Sequence, residues 1–592
     1  MKKKKNSRPD FVDQILPRRT RLAIFGGLVS GGILLAASSG ALAGEEADDA
    51  PESMFDDLPV VLSASRLYQS TLEAPAAVSV IDRQALVASG ARKLADVLRL
   101  VPGFHVGYLN GNSTVVAYHG LSDFYARRMQ VLVDGVSIYG PLLGGVDWNM
   151  LPLTMEDVER IEVVRGPNAV TFGANAFLAV INIITRDPAT ETGSQVFGTF
   201  GGGGIRDLAV RTAHQGEKLR YSLSLGQRTD TGIKEIADNS RLNLFNLRGH
   251  YRFDERDELM FQLRAGVGQT QTGGVVSRGF YNINIGPGQF DPVRQRDSEQ
   301  EIVQLRWTRA DSVDDEFWLQ VYHHQQRSRE PYDVMLPLPG GGGMPYHYLQ
   351  DRDQVRDDIE FQRAFRLGET FRVVSGGQWR ADSARSVAML NRQGWVNNRL
   401  GRLFGNLEMR PGEALTLQGG LMLENNSISG TSLSPRLAGT YFIAPEQSLR
   451  VGISRANRAP TINEESGSLV YHPPPALLWL TQGRSLATLA MSSGGLRDER
   501  ILSREIVYSA EFPQWRAGGD FRWFNDRIER LITLNLTHPV VTMTNNMAWD
   551  YANSAEAVNV RGVEMGAHWQ PWSGAMLQGT ASHTRIDTAL QG

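Results

Sequence analysis

Residues 219–228 read LRYSLSLGQR, and their alternation decides the architecture. Leu219, Tyr221, Leu223 and Leu225 fall on one side of an extended chain; Arg220, Ser222, Ser224 and Gly226 fall on the other. Successive side chains of a strand point to opposite faces, so this is a strand with one apolar and one polar face. The same period recurs downstream. Phe245, Leu247, Tyr251 and Phe253 alternate with Asn246, Arg248, His250 and Arg252. Leu259, Phe261, Leu263 and Val267 oppose Gln262 and Arg264, and Leu415, Leu417, Leu421 and Leu423 oppose Thr416, Gln418 and Glu424. Val563, Met565, Ala567 and Trp569 oppose Glu564, His568 and Gln570.

A soluble sandwich also alternates, and the connectors separate the two cases. Tight links fall near 214–217, 254–257, 311–314, 367–369, 411–413, 444–446, 513–514 and 571–574. Between them come long polar or Gly/Pro-rich links at 229–240, 273–298, 330–351, 384–398 and 459–500. Short and long in turn is the pattern of a β-barrel in an outer membrane, with short periplasmic turns and long external loops. Strands can span lipid only in a closed barrel, because an open edge leaves unpaired N–H and C=O groups in hydrocarbon. Trp307, Trp318, Trp379, Trp523 and Trp569 are candidates for the interfacial girdles. About 17 strands fit between residues 194 and 587, and the sequence then stops in loop-like Gln591-Gly592. The expectation is an all-β transmembrane barrel of about 22 strands, incomplete at its C-terminus over 191–592.

The N-terminus is of another kind. Lys2 to Lys5 with Arg18, Arg19 and Arg21 precede an apolar run from Leu22 to Ala37, and Ala41-Leu42-Ala43 gives an A-x-A cleavage signal. Residues 1–43 therefore read as a secretory signal peptide, with a single membrane anchor as the alternative. The remainder carries 53 Lys and Arg against 62 Asp and Glu, a net charge of −9. Nothing in that balance calls for nucleic acid. The 592 residues contain no cysteine, which excludes disulfides, thiolate metal sites and cysteine nucleophiles. A mean hydropathy of −0.27 and no later apolar run of 18 residues argue against membrane helices.

Residues 44–66 read as a disordered lead, and 67–190 as a small α+β domain. PAAVSVI (75–81) is a strand, and 91–101 place Leu94, Val97, Leu98 and Val101 on one helical face before Pro102-Gly103. VLVDGVSIY (131–139) is two short apolar runs around Asp134-Gly135, a type I′ hairpin signal. Two more strands fall near 160–165 and 179–185, joined through Arg165-Gly166-Pro167. There glycine supplies an unusual φ, proline stops the strand, and arginine pairs with acids on a barrel wall. Glu159, Arg160, Glu162 and Arg165 are expected to form ion pairs at that interface, a solvated strand edge being the alternative.

A signal peptide, a small α+β domain and a barrel too wide to be filled by side chains together mean that the domain plugs the barrel. This resembles the TonB-dependent outer-membrane receptors of Gram-negative bacteria, through nearly the whole chain after residue 43. PVVLSASR (59–66) resembles the family's TonB box and the segment after it. ADVLRLVPGF (95–104), VLVDGVSIY and VERIEVVRGPNAVTFGANAFLAVINIITR (158–186) resemble successive plug motifs, with Gly173 inside the last. SPRLAGTY (434–441) and SRANRAPTINEE (454–465) resemble recurrent barrel motifs. Leu178 and Ala179 stand where the family often has glycines, and His119 where it has arginine.

The resemblance implies energised import without covalent chemistry or a resident cofactor. Ligand binds between plug apices and outer loops, the plug shifts, and Pro59, Val60, Val61, Leu62, Ser63, Ala64 and Ser65 become available to the TonB protein by strand addition. Tyr108, His119, Phe124, Tyr125 and Tyr139, beside Arg127 and Arg128, are the candidate ligand-facing residues. Aromatic and cationic groups suit an anionic ferric siderophore. Cobalamin and haem follow, the latter through His472, although His119 also suits a turn and at most one of His323 and His324 faces the lumen. The other expected partners are outer-membrane lipid and lipopolysaccharide, with the chain a monomer. Three other readings are a passive porin, an adhesin or phage receptor, and a transcription-controlling transducer. The last calls for an extra N-terminal domain, and no residue constellation indicates an enzyme.

Overall fold

The computed structural model describes residues 60–589 apart from 62, 68, 122–124, 274–291, 313, 338–342, 476, 477, 480 and 544. The signal-peptide reading, the lead from 44 to 59, and Pro59, Leu62 and Phe124 lie outside the described residues.

Seventeen strands form one antiparallel sheet in chain order, from Gly193–Gly201 to Ala575–Asp587. Among the described residues no pairing joins the first of these strands to the last. The neighbouring strands Val396–Gly412 and Leu415–Asn426 show why the pattern of period two arises. Arg402, Asn406, Glu408, Gln418 and Glu424 point into the lumen and are buried, whereas Leu403, Leu407, Leu417, Leu421 and Leu423 are exposed on the other face. The apolar face meets hydrocarbon and the polar face meets the plug. Among the described residues no helix is long and apolar enough to cross a membrane.

Turns of two to four residues join the wall strands at one end. At the other end stand the long connectors 231–239, 273–293, 330–351, 386–395, 459–498 and 530–557. The long-loop end is the external one. Two external connectors, 202–204 and 427–429, are tight turns and break the expected alternation. The loops also carry structure that period-two reading misses. Ser468–Tyr471, Ala487–Met491, Met547–Asn553 and Ile532–Pro539 form a four-stranded sheet above the barrel. Trp307 and Trp569 sit on the outer face near the inner ends of their strands, while Trp379 and Trp523 lie mid-strand. Trp318 is corrected: it is 7% exposed, faces the lumen and lies under the Arg306 guanidinium.

The plug begins earlier than residue 67. β1 (Val60–Val61) pairs with β2 (Gln69–Ser70), and Val61, Ser63, Ala64 and Ser65 are buried, so the lead is not disordered through 66. β3 (Ala77–Ile81), β4 (Phe104–Asn110), β5 (Ser113–Tyr118), β6 (Met129–Val133), β7 (Val136–Ser137), β8 (Val158–Arg165) and β9 (Ala179–Thr185) follow. Five make one sheet in the order β3-β8-β9-β6-β7, with β6 and β9 parallel. α1 (Arg83–Ala88) starts at Asp82, whose carboxylate accepts the Ala85 N–H at 2.7 Å. α2 (Leu94–Val97) runs on as a 3-10 turn to Leu100 and stops before Pro102, burying Leu94, Val97, Leu98 and Val101. Asp134 and Gly135 have φ of +47° and +81°, the two positive values a type I′ turn needs.

Candidate functional site

The external mouth holds a cleft between plug and wall. Its plug side is Asn112–Thr114, from the tip joining β4 and β5, with Tyr125 and the loop from Gly140 to Met150. Its wall side includes Arg296, Gln300, Gln326, Arg327, Arg352 and Gln354. Arg296 lies 3.9 Å from the plug's Asp147, while Arg327 and its cross-strand partner Glu299, 3.7 Å apart, alternate with the inward Gln326 and Gln300 and stand at the border of the cleft. Arg352 lies 3.9 Å from Glu330 and 3.4 Å from the Ser328 hydroxyl. The enclosed volume of about 160 Å³ is below the several hundred Å³ that usually surround a whole ligand.

Of the candidate ligand-facing residues, Tyr125 lines this cleft and Tyr108 stays 38% exposed on β4, its hydroxyl donating to Asp96 at 2.5 Å. Arg127, Arg128, Tyr139 and His119 are corrected, because wall carboxylates and plug carbonyls claim them, and Phe124 lies outside the described residues. Arg128 forms a bidentate pair with Glu499, at 2.9 and 2.7 Å. Arg127 donates to Glu464 at 3.0 Å and to the Leu143 carbonyl, and the Tyr139 hydroxyl donates to the Arg127 carbonyl at 2.7 Å. Arg458 bridges Glu464 and Glu499, closing a buried network of three arginines and two glutamates. Burial would raise the Glu464 carboxyl, but Arg458 and Arg127 hold it below the usual carboxylate range. Thr461 caps α3 (Ile462–Ser466), the external helix that carries Glu464. His119 turns inward with φ +54°, stacks between Tyr118 and Phe524, and lies 2.6 Å from Glu564. His324 is buried and His323 is paired with Asp357; His472 contacts Asn391 in the outer loops.

Mid-lumen, the Arg165-Gly166-Pro167 turn meets the wall. Arg165, fully buried, reaches Asp520 at 2.5 Å and Glu564 at 3.3 Å. Gly166 has φ +99°, and a Cβ there would stand 2.7 Å from Arg522 Nη2. Gly173 has φ +77°, and a Cβ there would overlap the Arg402 guanidinium. Asp134 faces Arg264 and Arg248 of the wall and accepts from Gln262; burial would raise its carboxyl, but the two arginines hold it well below the usual range. The companions of Arg165 are corrected. Glu162 accepts from Ser63 at 2.5 Å and from Arg160 at 2.9 Å, and Glu159 lies 3.9 Å from Arg186, so these contacts stay inside the plug.

Toward the inner end, the segment read as the box is docked. Ser63 is held by Glu162 and by Asn168, which donates to its carbonyl. The Ala64 carbonyl accepts from Thr171 and from the wall's Arg436 at 2.9 Å. Arg66 pairs with Glu360 of the wall at 2.5 Å and stacks over Phe404. Sequence reasoning missed Glu360, Arg436, Glu499 and Asp520, because a polar residue on a period-two strand signals only that it faces the lumen, and Glu464, because it lies on a short helix inside a long external connector.

Comparison with known proteins agrees with this architecture. The TonB-dependent receptor plug domain family matches residues 70–180, and the TonB-dependent receptor-like β-barrel family matches residues 190–591. The chain is similar to the vitamin B12 transporter BtuB of Vibrio cholerae serotype O1, 22% identical over 538 residues, 86% of this chain and 75% of that protein. It is similar to the iron-regulated outer membrane virulence protein of Vibrio cholerae serotype O1, 24% identical over 626 residues, 91% of this chain and 90% of that one. Among solved structures, the siderophore receptor PirA from Pseudomonas aeruginosa superposes with a TM-score of 0.65 at 16% identity, covering 86% of this chain and 85% of that one. The FrpB iron transporter from Neisseria meningitidis gives 0.67 at 13%, covering 86% and 80%.

Proposed function

This chain belongs to the TonB-dependent outer-membrane receptors, transport proteins rather than enzymes, and on that premise we propose that it imports an anionic ferric siderophore. The observation that carries the ligand class is the cleft, where the inward-facing Arg296 and Arg352 outnumber the lining carboxylate Asp147 beside the Tyr125 ring. Cationic and aromatic groups at the mouth favour an anionic chelate. The cations in this reading belong to the wall, since Arg127 and Arg128 are already neutralised. Energy enters at the segment Pro59–Ser65, of which Val61 and Ser63 to Ser65 are buried. Release of Ser63 and Ala64 from Glu162 and Arg436 presents it to TonB as an added strand. The similarity to a vitamin B12 transporter favours cobalamin as a second reading.

The test is uptake of radiolabelled ferric siderophores and of cobalamin by iron-limited cells, with and without TonB. The expected result is import of a ferric chelate that stops without TonB and is weakened about tenfold, about 1.4 kcal/mol, by Arg296→Ala with Arg352→Ala. Cobalamin import alone would establish the second reading. Import that persists without TonB would refute energised transport.

A further inference from the structure

The outer face of the barrel carries a second, unassigned charge pattern. At the external ends of five consecutive wall strands, Arg455, Arg500, Arg504, Arg527, Arg561 and Arg585 lie on the lipid-facing side, in register with exposed apolar residues. On Gln447–Arg458 the outward order is Leu449, Val451, Ile453 and then Arg455. On Glu499–Phe512, Arg504 follows Ile506 toward the outside, and Arg500 lies beyond it. On Ala517–Glu529, Phe521 and Trp523 precede Asn525 and Arg527; on Val558–Trp572, Met565 and Val563 precede Arg561. The pairing register makes the arginines a checkerboard. Arg561 is opposite Arg585, Arg504 is opposite Asn525, and Leu502 lies opposite both Arg455 and Arg527. Arg455 and Arg527 are thus each diagonal to Arg500 and Arg504, a separation that long side chains bridge.

The patch is short of acids. Glu529 pairs with Arg527 at 3.1 Å, and Asp587 pairs with Arg561 at 3.1 Å and Arg585 at 2.8 Å, in exposed geometry that contributes little. Among the described residues no carboxylate forms an ion pair with Arg455, Arg500 or Arg504, and Nε of Arg455 and of Arg500 is buried without a hydrogen-bond partner. Elsewhere on the outer rim the balance differs, since Arg329 and Arg385 share Asp353 at 2.5 and 2.6 Å. Six guanidiniums, against Asp587, the neighbouring Asp498 and Glu529 opposite Arg500, stand at the upper border of an apolar belt, where the headgroups of the outer leaflet begin. Their stems lie along hydrocarbon and their heads reach the interface. Guanidinium forks match phosphate oxygens two at a time.

We propose that this arc, centred on Arg500, Arg504 and Arg527, is a binding site for the phosphate groups of an outer-leaflet phosphoglycolipid. The lipid's acyl chains lie on the Ile453, Ile506, Trp523 and Val563 face, and its phosphates are shared among the arginines. The site lies on the opposite side of the wall from the ligand cleft.

The test uses the folded receptor in detergent micelles and measures lipid binding by native mass spectrometry. The probes are bis-phosphorylated lipid A, its dephosphorylated form, and inorganic phosphate as competitor. The phosphorylated lipid is expected to bind at least about tenfold more tightly than the dephosphorylated form, and to weaken steeply between about 50 and 300 mM salt. Both comparisons use the unmutated receptor. Arg500→Gln, Arg504→Gln and Arg527→Gln together should cost at least a further factor of about ten. The corresponding lysine substitutions should keep most of the binding. The exposed rim residues Arg206, Arg241 and Arg399, changed to glutamine, should leave it unaltered. Equal binding of the two lipids would overturn the proposal, as would equal loss in the rim control. Complete displacement by inorganic phosphate at matched concentration would show a phosphate site and overturn the lipid assignment.

Discussion

Replacing Glu564 with glutamine removes the charge at the centre of the plug–wall contact. Glu564 is fully buried; its Oε1 accepts the Tyr118 hydroxyl at 2.6 Å and lies 2.6 Å from His119 Nε2. Its Oε2 accepts from Arg165 at 3.3 Å and Arg522 at 3.2 Å. Glutamine keeps one acceptor, so an NH₂ group must face either the two guanidiniums or the Tyr118–His119 pair. Removing one partner of a buried ion pair costs about 3–5 kcal/mol. Arg165 keeps Asp520 and Arg522 keeps Glu505 at 2.8 Å, which puts the cost at the lower end, about 3 kcal/mol. Because the chain has no cysteine, a single cysteine at Val87, 63% exposed on α1, can carry a spin label that reports plug unfolding in urea. With a slope of about 2 kcal/mol per molar urea, the midpoint should fall by about 1.5 M while the barrel keeps its heat-modifiable gel shift. A fall of less than about 0.3 M would refute the view that these charges clamp the plug.

Three further outcomes follow from particular contacts. Gly173→Ala must place a Cβ against the Arg402 guanidinium at φ +77°, so the plug should lose about 2–4 kcal/mol in the same urea assay; an unchanged midpoint would mean that Arg402 moves freely. Glu360→Gln breaks the Arg66 pair that docks the inner segment, and a cysteine at Ser63, 1% exposed in the native chain, should then react with a thiol probe about tenfold faster than in the Glu360 background; equal rates would remove Glu360 from the docking argument. Asp498, at the foot of an external loop, has its carboxyl raised to about 6 by burial and by Glu424, against Ser429. Its folded value lies above the unfolded one, so the folded state binds the extra proton and stability should rise by about 1–2 kcal/mol as pH falls from 7 to 4. Asp498→Asn should flatten that rise; an unchanged slope measured by thermal unfolding would assign it to another group.

The wall was legible because lipid on one side and a polar plug on the other impose period two on strand after strand. LRYSLSLGQR and the sequence around Leu417 to Glu424 each carry the whole signal locally. Asp134-Gly135 and Arg165-Gly166-Pro167 were legible for another reason: each demands a backbone conformation that few residues accept. The cleft was not legible. Arg127 and Arg128 look like ligand cations in the sequence because Glu464 and Glu499, the groups that neutralise them, lie more than 300 residues away. Arg296 and Arg352, which do face the cleft, are indistinguishable by pattern from any lumen-facing arginine. The inner segment was misread as disordered because its partners Arg436 and Glu360 are equally remote. Short-range rules recover geometry, whereas the neutralisation of a charge depends on a partner that only the closed topology supplies.

That partition bears on how a plug so thoroughly held can still move. The described polar contacts between plug and wall are built on guanidinium–carboxylate and guanidinium–carbonyl pairs: Arg66, Arg128 and Arg165 of the plug with wall acids, and Arg264, Arg402 and Arg436 of the wall with plug acceptors. Apolar burial is densest in the plug, around Leu98, Val163, Phe177 and Ile181, and reaches the wall at Ile501, Phe524, Ile528, Val558 and Val560 and, in smaller clusters, where Leu67 meets Phe404 and Met150 meets Leu244. Separating an apolar interface would expose surface at about 25 cal/mol per Å² with nothing to offset it. Separating ion pairs into a lumen that fills with water returns much of the hydration that pairing had cost. A clamp of this kind is therefore specific while dry and weak once wetted. Water entry at a single point, such as the Arg66–Glu360 contact beside the docked segment, lowers the cost of releasing the next pair. The plug core meanwhile keeps its own apolar packing, so the sheet β3-β8-β9-β6-β7 can stay folded while its outer contacts open.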